Sequence, residues 1–126
     1  MAPRIEKDFL GTLEIPKDVY YGVQTMRAKE NFPITGLVVD PELIRAFAIV
    51  KKSTTQAHLL TGQLDETIAN AIIQAADEII AGKLHDQFIV DPIQGGAGTS
   101  LNMNTNEVIA NRALEILGHE KGSYSI

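Results

Sequence analysis

Cysteine and tryptophan are absent from these 126 residues, and aromatic residues make up only 6% of them. Without cysteine there are no disulfides and no thiolate metal sites, so the fold must rest on an ordinary apolar core. No apolar run approaches the roughly 18 to 20 residues of a membrane span. The 11 basic residues never cluster and the net charge is −5, which leaves no electrostatic footprint for nucleic acid or for an acidic membrane. The start, Met1 to Lys7, lacks the apolar core of a signal peptide, and no Asn-x-Ser/Thr acceptor occurs. A cytoplasmic protein without nucleic-acid or membrane partners is the expectation. What is present, 44% hydrophobic and 21% charged residues, suits one globular domain spanning residues 1–126.

Residues 1–40 are rich in Gly and Pro, with short apolar runs at Leu10-Gly11 and Leu13 to Ile15, and predict a small hairpin or irregular arm. A short helix over Val19 to Ala28 would align Tyr20, Val23 and Arg27, with Gly22 inside it. Asp40 as N-cap, Pro41 at the first helical position and Glu42 near the positive dipole end start a helix of about 41–60, with Gly62 as its C-terminal cap. Leu43, Phe47, Val50, Thr54 and Ala57 mark its predicted face. A second helix begins near Asp65, carries Ile68, Ile72, Ala75 or Ala76, and Ile79, and ends before Gly82. A third starts near Thr99 or Ser100 and runs to about Leu117, with Leu101, Thr105, Val108, Arg112 and Ile116 on one face. The fold class predicted is mainly α, a small helical domain with an N-terminal arm or hairpin.

The chemistry is concentrated in Gly95-Gly96-Ala97-Gly98-Thr99-Ser100, directly before that last helix. Free backbone N–H groups and the positive end of the helix dipole converge there, with few side chains in the way, which suits an anion. Thr99 and Ser100 add hydroxyl donors. A P-loop would need a lysine that is missing, and in the dinucleotide pattern Leu101 stands where the third glycine belongs. A carboxylate fits as well as a phosphate. The alternative is a flexible loop followed by an ordinary N-cap. Against that stands the helix itself, where Asn102, Asn104, Asn106 and Asn111 occupy positions that asparagine disfavours by several tenths of a kcal/mol. They imply a polar network with Glu107 behind the loop. His58, His85 and His119 have no metal-ligand spacing and read as structural or solvated, and Asp77 with Glu78 as a solvated helix face.

Gln94 to Val108 resembles a hallmark of the aspartase/fumarase superfamily. Arg4-Ile5-Glu6-Lys7-Asp8 and Tyr20-Tyr21-Gly22-Val23-Gln24-Thr25-x-Arg27-Ala28 resemble the opening of the same enzymes. Fumarases typically show Tyr-Trp-Gly-Ala-Gln-Thr in the first motif and Thr-Gly-Ser-Gly-Thr-Gln-Thr-Asn in the second. This chain departs at Tyr21, Val23, Gly96, Ala97, Ser100 and Leu101, and the departures are similar to aspartate ammonia-lyases, which reversibly split L-aspartate into fumarate and ammonia.

The resemblance implies an N-terminal lyase domain, without organic cofactor, belonging to a cytoplasmic homotetramer whose sites combine residues from three subunits. In that family a serine on a mobile loop takes a proton from the carbon beside the side-chain carboxylate, and preorganised donors stabilise the enediolate that forms. By resemblance Thr99 is the foremost ligand of the dicarboxylate substrate, helped by Gly98 and Ser100. Arg27 either organises the same site or makes a surface or interface ion pair. Asn102, Asn104, Asn106 and Glu107 would support them. The family's later signatures, a Ser-rich segment, a Thr-His segment and a Gly-Ser-Ser loop, are absent before Ile126, so the chain alone is expected to be inactive. A class II fumarase fragment and a stand-alone small-anion or protein-binding module are the alternatives.

Overall fold

A tight turn between Asp8 and Gly11 joins the first element pair, in which Glu6 is buried and Ile5 exposed. The computed structural model describes residues 2–126, in which Arg4–Asp8 (β1) and Gly11–Ile15 (β2) pair antiparallel, Arg4 opposite Ile15 and Asp8 opposite Gly11. Asp8 Oδ1 accepts the N–H of Leu10 at 2.9 Å, and Gly11 takes φ of 121°, so the turn closes with a conformation few other residues adopt.

The helix after the hairpin lies further along than the periodicity predicts, at Val23–Asn31 (α1). Gly22 stands just outside its first turn. Tyr20 lies before the helix, its N–H donating to Gln87 Oε1 at 2.8 Å and its hydroxyl to Glu115 Oε2 at 2.6 Å. Tyr20, Val23 and Arg27 therefore share no helical face, because long-range partners for Tyr20 outweigh one more helical turn through a glycine.

The remaining helices, Pro41–Leu60 (α2), Glu66–Ile80 (α3) and Thr99–Ile116 (α4), begin and end close to the sequence-based bounds. Their stops are local chemistry. Gly62, Gly82 and Gly118 all have positive φ, and the next residue in each case donates back five residues: Gln63 to His58, Lys83 to Glu78 and His119 to Leu114. Their starts are equally local for α2 and α3. Asp40 Oδ1 accepts from Glu42 N at 2.8 Å, and Asp65 Oδ1 accepts from Thr67 N at 2.9 Å and Ile68 N at 3.2 Å. Asp65→Ala should lower the unfolding free energy by about 1 kcal/mol, measured as a shift in urea midpoint at unchanged slope.

The core forms where α2, α3 and α4 meet, around Ala48, Ala75, Ile79, Phe88, Leu101 and Val108. Small alanines on α2 and α3 let those helices approach closely. The side of α2 that faces inward is not the predicted one: Ile44, Ala48 and Thr55 are buried, whereas Leu43, Val50, Thr54 and Ala57 are exposed and Phe47 is half-buried. Two uncharged stripes run along this helix, and periodicity alone does not say which one α3 covers. The reading of Asp77 and Glu78 as a solvated face holds for Asp77, which is exposed, but not for Glu78, which is half-buried. Glu78 accepts Arg112 Nε at 2.7 Å and Nη2 at 2.9 Å, tying α3 to α4, and Asp77 accepts Lys52 Nζ at 2.6 Å from α2. The Arg112 hydrogen bonds hold the Glu78 carboxyl below its ordinary value. Among the described residues no helix is long and apolar enough to cross a membrane.

Candidate functional site

Three successive left-handed residues, Gly96 (φ 74°), Ala97 (φ 56°) and Gly98 (φ 86°), curl the backbone immediately ahead of α4. Gln94, quoted in the motif without a role, clamps this loop. Its Oε1 accepts the N–H of Leu101 at 2.8 Å while its Nε2 donates to Asp91 O at 2.8 Å. Thr99 donates its hydroxyl to Gly96 O at 2.6 Å, and its N–H reaches the same carbonyl at 3.2 Å. The N–H groups of Gly98 and Ser100 meet no acceptor among the described residues, nor does the Ser100 hydroxyl have a partner there. So the helix start offers unused donors at its positive end.

Arg27 faces the same space from α1. Its Nε and Nη2 bind Asp8 in a fork, at 2.7 and 2.8 Å, and Nη2 also donates to Gly11 O at 3.2 Å, leaving Nη1 without a partner among the described residues. The fork holds the Asp8 carboxyl below its ordinary value. A shallow cavity of about 220 Å³ is lined by Arg27, Asn31, Phe32, Gly96, Thr99 and Ser100 among others. Thus Arg27, Thr99 and Ser100, far apart in sequence, border one cavity, with Gly98 adjoining. Asn31 was not singled out from the sequence; only its place one helical turn beyond Arg27 signals it. Phe32 explains Gly95, since a Cβ there would stand 3.0 Å from the ring.

The polar residues of α4 reach in several directions. Asn104, fully buried, accepts the N–H of Ile89 at 3.0 Å and donates to Gln87 O at 3.0 Å, fastening the segment before the loop. Asn102 accepts Lys51 Nζ at 2.6 Å from α2, while Asn106 touches only Met103 Sδ, at 3.7 Å. Asn111 donates to Tyr20 O at 2.8 Å and accepts Gly122 N at 2.6 Å, joining the segment before α1 to the segment after α4.

Glu107 caps α1, its Oε1 accepting from Gln24 N at 2.8 Å and Thr25 N at 3.2 Å. Glu6 Oε2 accepts from Val23 N at 3.0 Å at the same helix start, and Arg4 Nε donates to Glu6 Oε1 at 2.8 Å. Two carboxyl groups therefore crowd one helix N-terminus. A Cβ on Gly22 would stand 2.5 Å from Glu6 Oε2, 2.8 Å from the Tyr124 hydroxyl and closer still to Glu107 Oε2. A side chain there would have to push all three groups aside. Burial first, and then the charge of Glu6, push the Glu107 carboxyl up to about 7.

Asp91 was overlooked in the sequence, where an Asp-Pro pair signals only a turn. It accepts Thr35 N at 2.7 Å, Gly36 N at 2.9 Å and Ile93 N at 2.9 Å, and also the Thr35 hydroxyl, thereby pinning residues 35–36 beside the loop. Burial pushes the Asp91 carboxyl up, but these hydrogen bonds outweigh it and hold it at about 2. Of the histidines, His85 Nε2 bonds Ile79 O at 2.9 Å, and His58 and His119 are exposed.

Comparison with known proteins matches a family model described as Lyase over residues 11–124. An aspartate ammonia-lyase from Bacillus sp is 68% identical over 122 residues, which cover 97% of this chain and 26% of that protein. A class II fumarate hydratase from Halobacterium salinarum is 54% identical over 119 residues, 94% of this chain and 25% of that protein. The crystal structure of fumarate lyase:delta crystallin from Brucella melitensis superposes with a TM-score of 0.95 at 52% identity, covering 97% of this chain and 29% of that one. The chain spans about a quarter of the length of the curated relatives it matches.

Proposed function

The chain belongs to the lyase family, and from that premise we propose that it is the N-terminal domain of an aspartate ammonia-lyase, contributing the carboxylate-binding part of a composite site. The single observation that carries this reading is the meeting of the α4 start with the free Nη1 of Arg27 across one cavity. The N–H groups of Gly98 and Ser100, the Ser100 hydroxyl and Arg27 together offer the positive charge and hydrogen-bond donors that a carboxylate takes. Thr99 holds the loop through Gly96 and turns its hydroxyl to the substrate only by releasing that bond. Asn102, Asn104 and Glu107 support the site by fixing α4 against its neighbours, whereas Asn106 bonds only within α4.

In the reaction a proton leaves the carbon beside the side-chain carboxylate of L-aspartate, the bond from the adjacent carbon to nitrogen breaks, and ammonia departs with that electron pair. Negative charge accumulates on the carboxylate during proton removal. Donors already aimed at it stabilise that charge without reorganising. The base lies outside these residues, on the mobile loop that the family resemblance implies, so the domain works within a longer cytoplasmic chain assembled as a homotetramer and needs no organic cofactor.

The test grafts these 126 residues in place of the matching quarter of the Bacillus sp enzyme. The graft should form fumarate from L-aspartate and not from L-malate, and the 126-residue chain alone should form none. Ser100→Ala and Thr99→Ala should each lower kcat/KM at least about tenfold, the worth of one hydrogen bond to a charged group. Turnover of malate would make the parent a fumarate hydratase, as the Halobacterium relative is named. Turnover of neither substrate would overturn the enzyme reading in favour of a separate binding module.

A further inference from the structure

The outward side of α2 is built like the inside of a protein. Leu43, Val50 and Ala57 recur every seven residues, and so do Ala46, Ser53 and Leu60, which is the spacing of a seam that receives another helix. All six are exposed, Leu43 by 46%, Val50 by 60% and Leu60 by 88%, with Ile49 at 50% alongside. A solvent-facing helix surface normally carries charge. The charges of α2 are elsewhere: Lys51 bonds Asn102 on α4, Lys52 bonds Asp77 on α3, and Glu42 and Arg45 pair with each other. Thr54, beside the seam, donates its hydroxyl to Val50 O at 2.9 Å, so its polar atom is satisfied within the helix. The small residues Ala46, Ser53 and Ala57 let a partner backbone come close between bulkier leucines.

We propose that this seam seats one further α-helix of the longer polypeptide, packed lengthwise along α2 through Leu43, Val50, Ala57 and Leu60. The occupant belongs to the same polypeptide because the relatives carry about three quarters of their length outside the matched region, the chain covering 26% of the Bacillus sp protein. The 20 residues of α2 offer a track of roughly 30 Å, enough for several helical turns of contact. Burying it removes a run of apolar surface that a free chain exposes. The proposal rests on the family membership and not on the activity.

Because the chain has no cysteine, Ser53→Cys introduces a single thiol at the middle of the seam. Its reaction with a maleimide is followed by site-resolved mass spectrometry in the free chain at several concentrations and in the graft. Glu66→Cys, at the exposed start of α3, serves as reference. Cys labelling at 53 should be at least tenfold slower in the graft than in the free chain, with the reference unchanged. Adding Val50→Lys should restore the fast rate in the graft while leaving the helicity of the free chain intact. Equal rates at 53 in both proteins would overturn the proposal, and protection in the free chain that grows with concentration would overturn it in favour of a second copy. A graft that consumes aspartate while the thiol stays fully reactive defeats the docking proposal alone. An inactive graft with a protected thiol defeats the lyase reading alone.

Discussion

Glu107→Gln is expected to raise the unfolding free energy by about 2 to 3 kcal/mol at about pH 8 and to change it little near pH 4, reversing the usual penalty for altering a buried polar residue. The reason is the crowding at the α1 start. Glu107 Oε1 is satisfied by two backbone N–H groups, but Oε2 is buried without a partner among the described residues and faces the Glu6 carboxyl, which Arg4 keeps supplied with positive charge. A proton on Glu107 turns Oε2 into a donor. Burial and the neighbouring carboxylate accordingly push its pKa from the ordinary 4.5 to about 7.

The sign follows from which state holds the proton. Below 4.5 both folded and unfolded chains hold it; between 4.5 and about 7 the unfolded chain releases it while the folded chain keeps it, so stability falls as pH rises through that window. Above about 7 the folded protein carries the full cost. Glutamine keeps the acceptor for Gln24 and Thr25 and supplies a permanent donor in place of the proton, so the variant's stability should be flat across the window. Urea unfolding of both chains at a series of pH values measures this. A variant less stable than the parent at about pH 8 would show that the ionised Glu107 carries no such cost. Asp91, held at about 2, works the other way, and its contribution is lost progressively as pH falls from 3.8 through about 2, below the window.

The second large effect concerns activity. In the graft, Arg27→Ala should lower kcat/KM for L-aspartate by about 100-fold, and Arg27→Lys should recover little of it. The guanidinium uses two nitrogens on Asp8 and leaves the third without a partner among the described residues, whereas a lysine ammonium is a single point that cannot hold the hairpin and reach a substrate carboxylate together. Melting curves separate this from unfolding. Lysine matching arginine in steady-state kinetics would mean that only the charge matters, and full activity in the alanine variant would assign Arg27 to the hairpin alone.

The glycine-rich loop and its following helix are legible because the motif is continuous: Gly95 to Ser100 carry their own backbone requirements, and Thr99 begins α4 as expected. Legibility ends where a residue's role depends on a distant partner. Gln94 gives no local sign that its amide will clamp the loop, nor Asp91 that it will bind residues 35 and 36. The asparagines of α4 announce that local preference has been overridden, but not that Asn104 serves the segment before the loop while Asn111 joins the segments before α1 and after α4.

By itself the sequence determined where α2 and α3 start and where all three long helices stop, because carboxylate caps at Asp40 and Asp65 and left-handed glycines at 62, 82 and 118 act within a few residues of the chain. Its motifs also determined the family. Only the tertiary structure decided which stripe of α2 meets the core, that Arg27 borders the α4 loop, and that Glu6 and Glu107 share a helix start. Those outcomes join groups as far apart as Gln24 and Glu107, 83 residues away, and a carboxyl group's burial and neighbours exist only after the chain has folded.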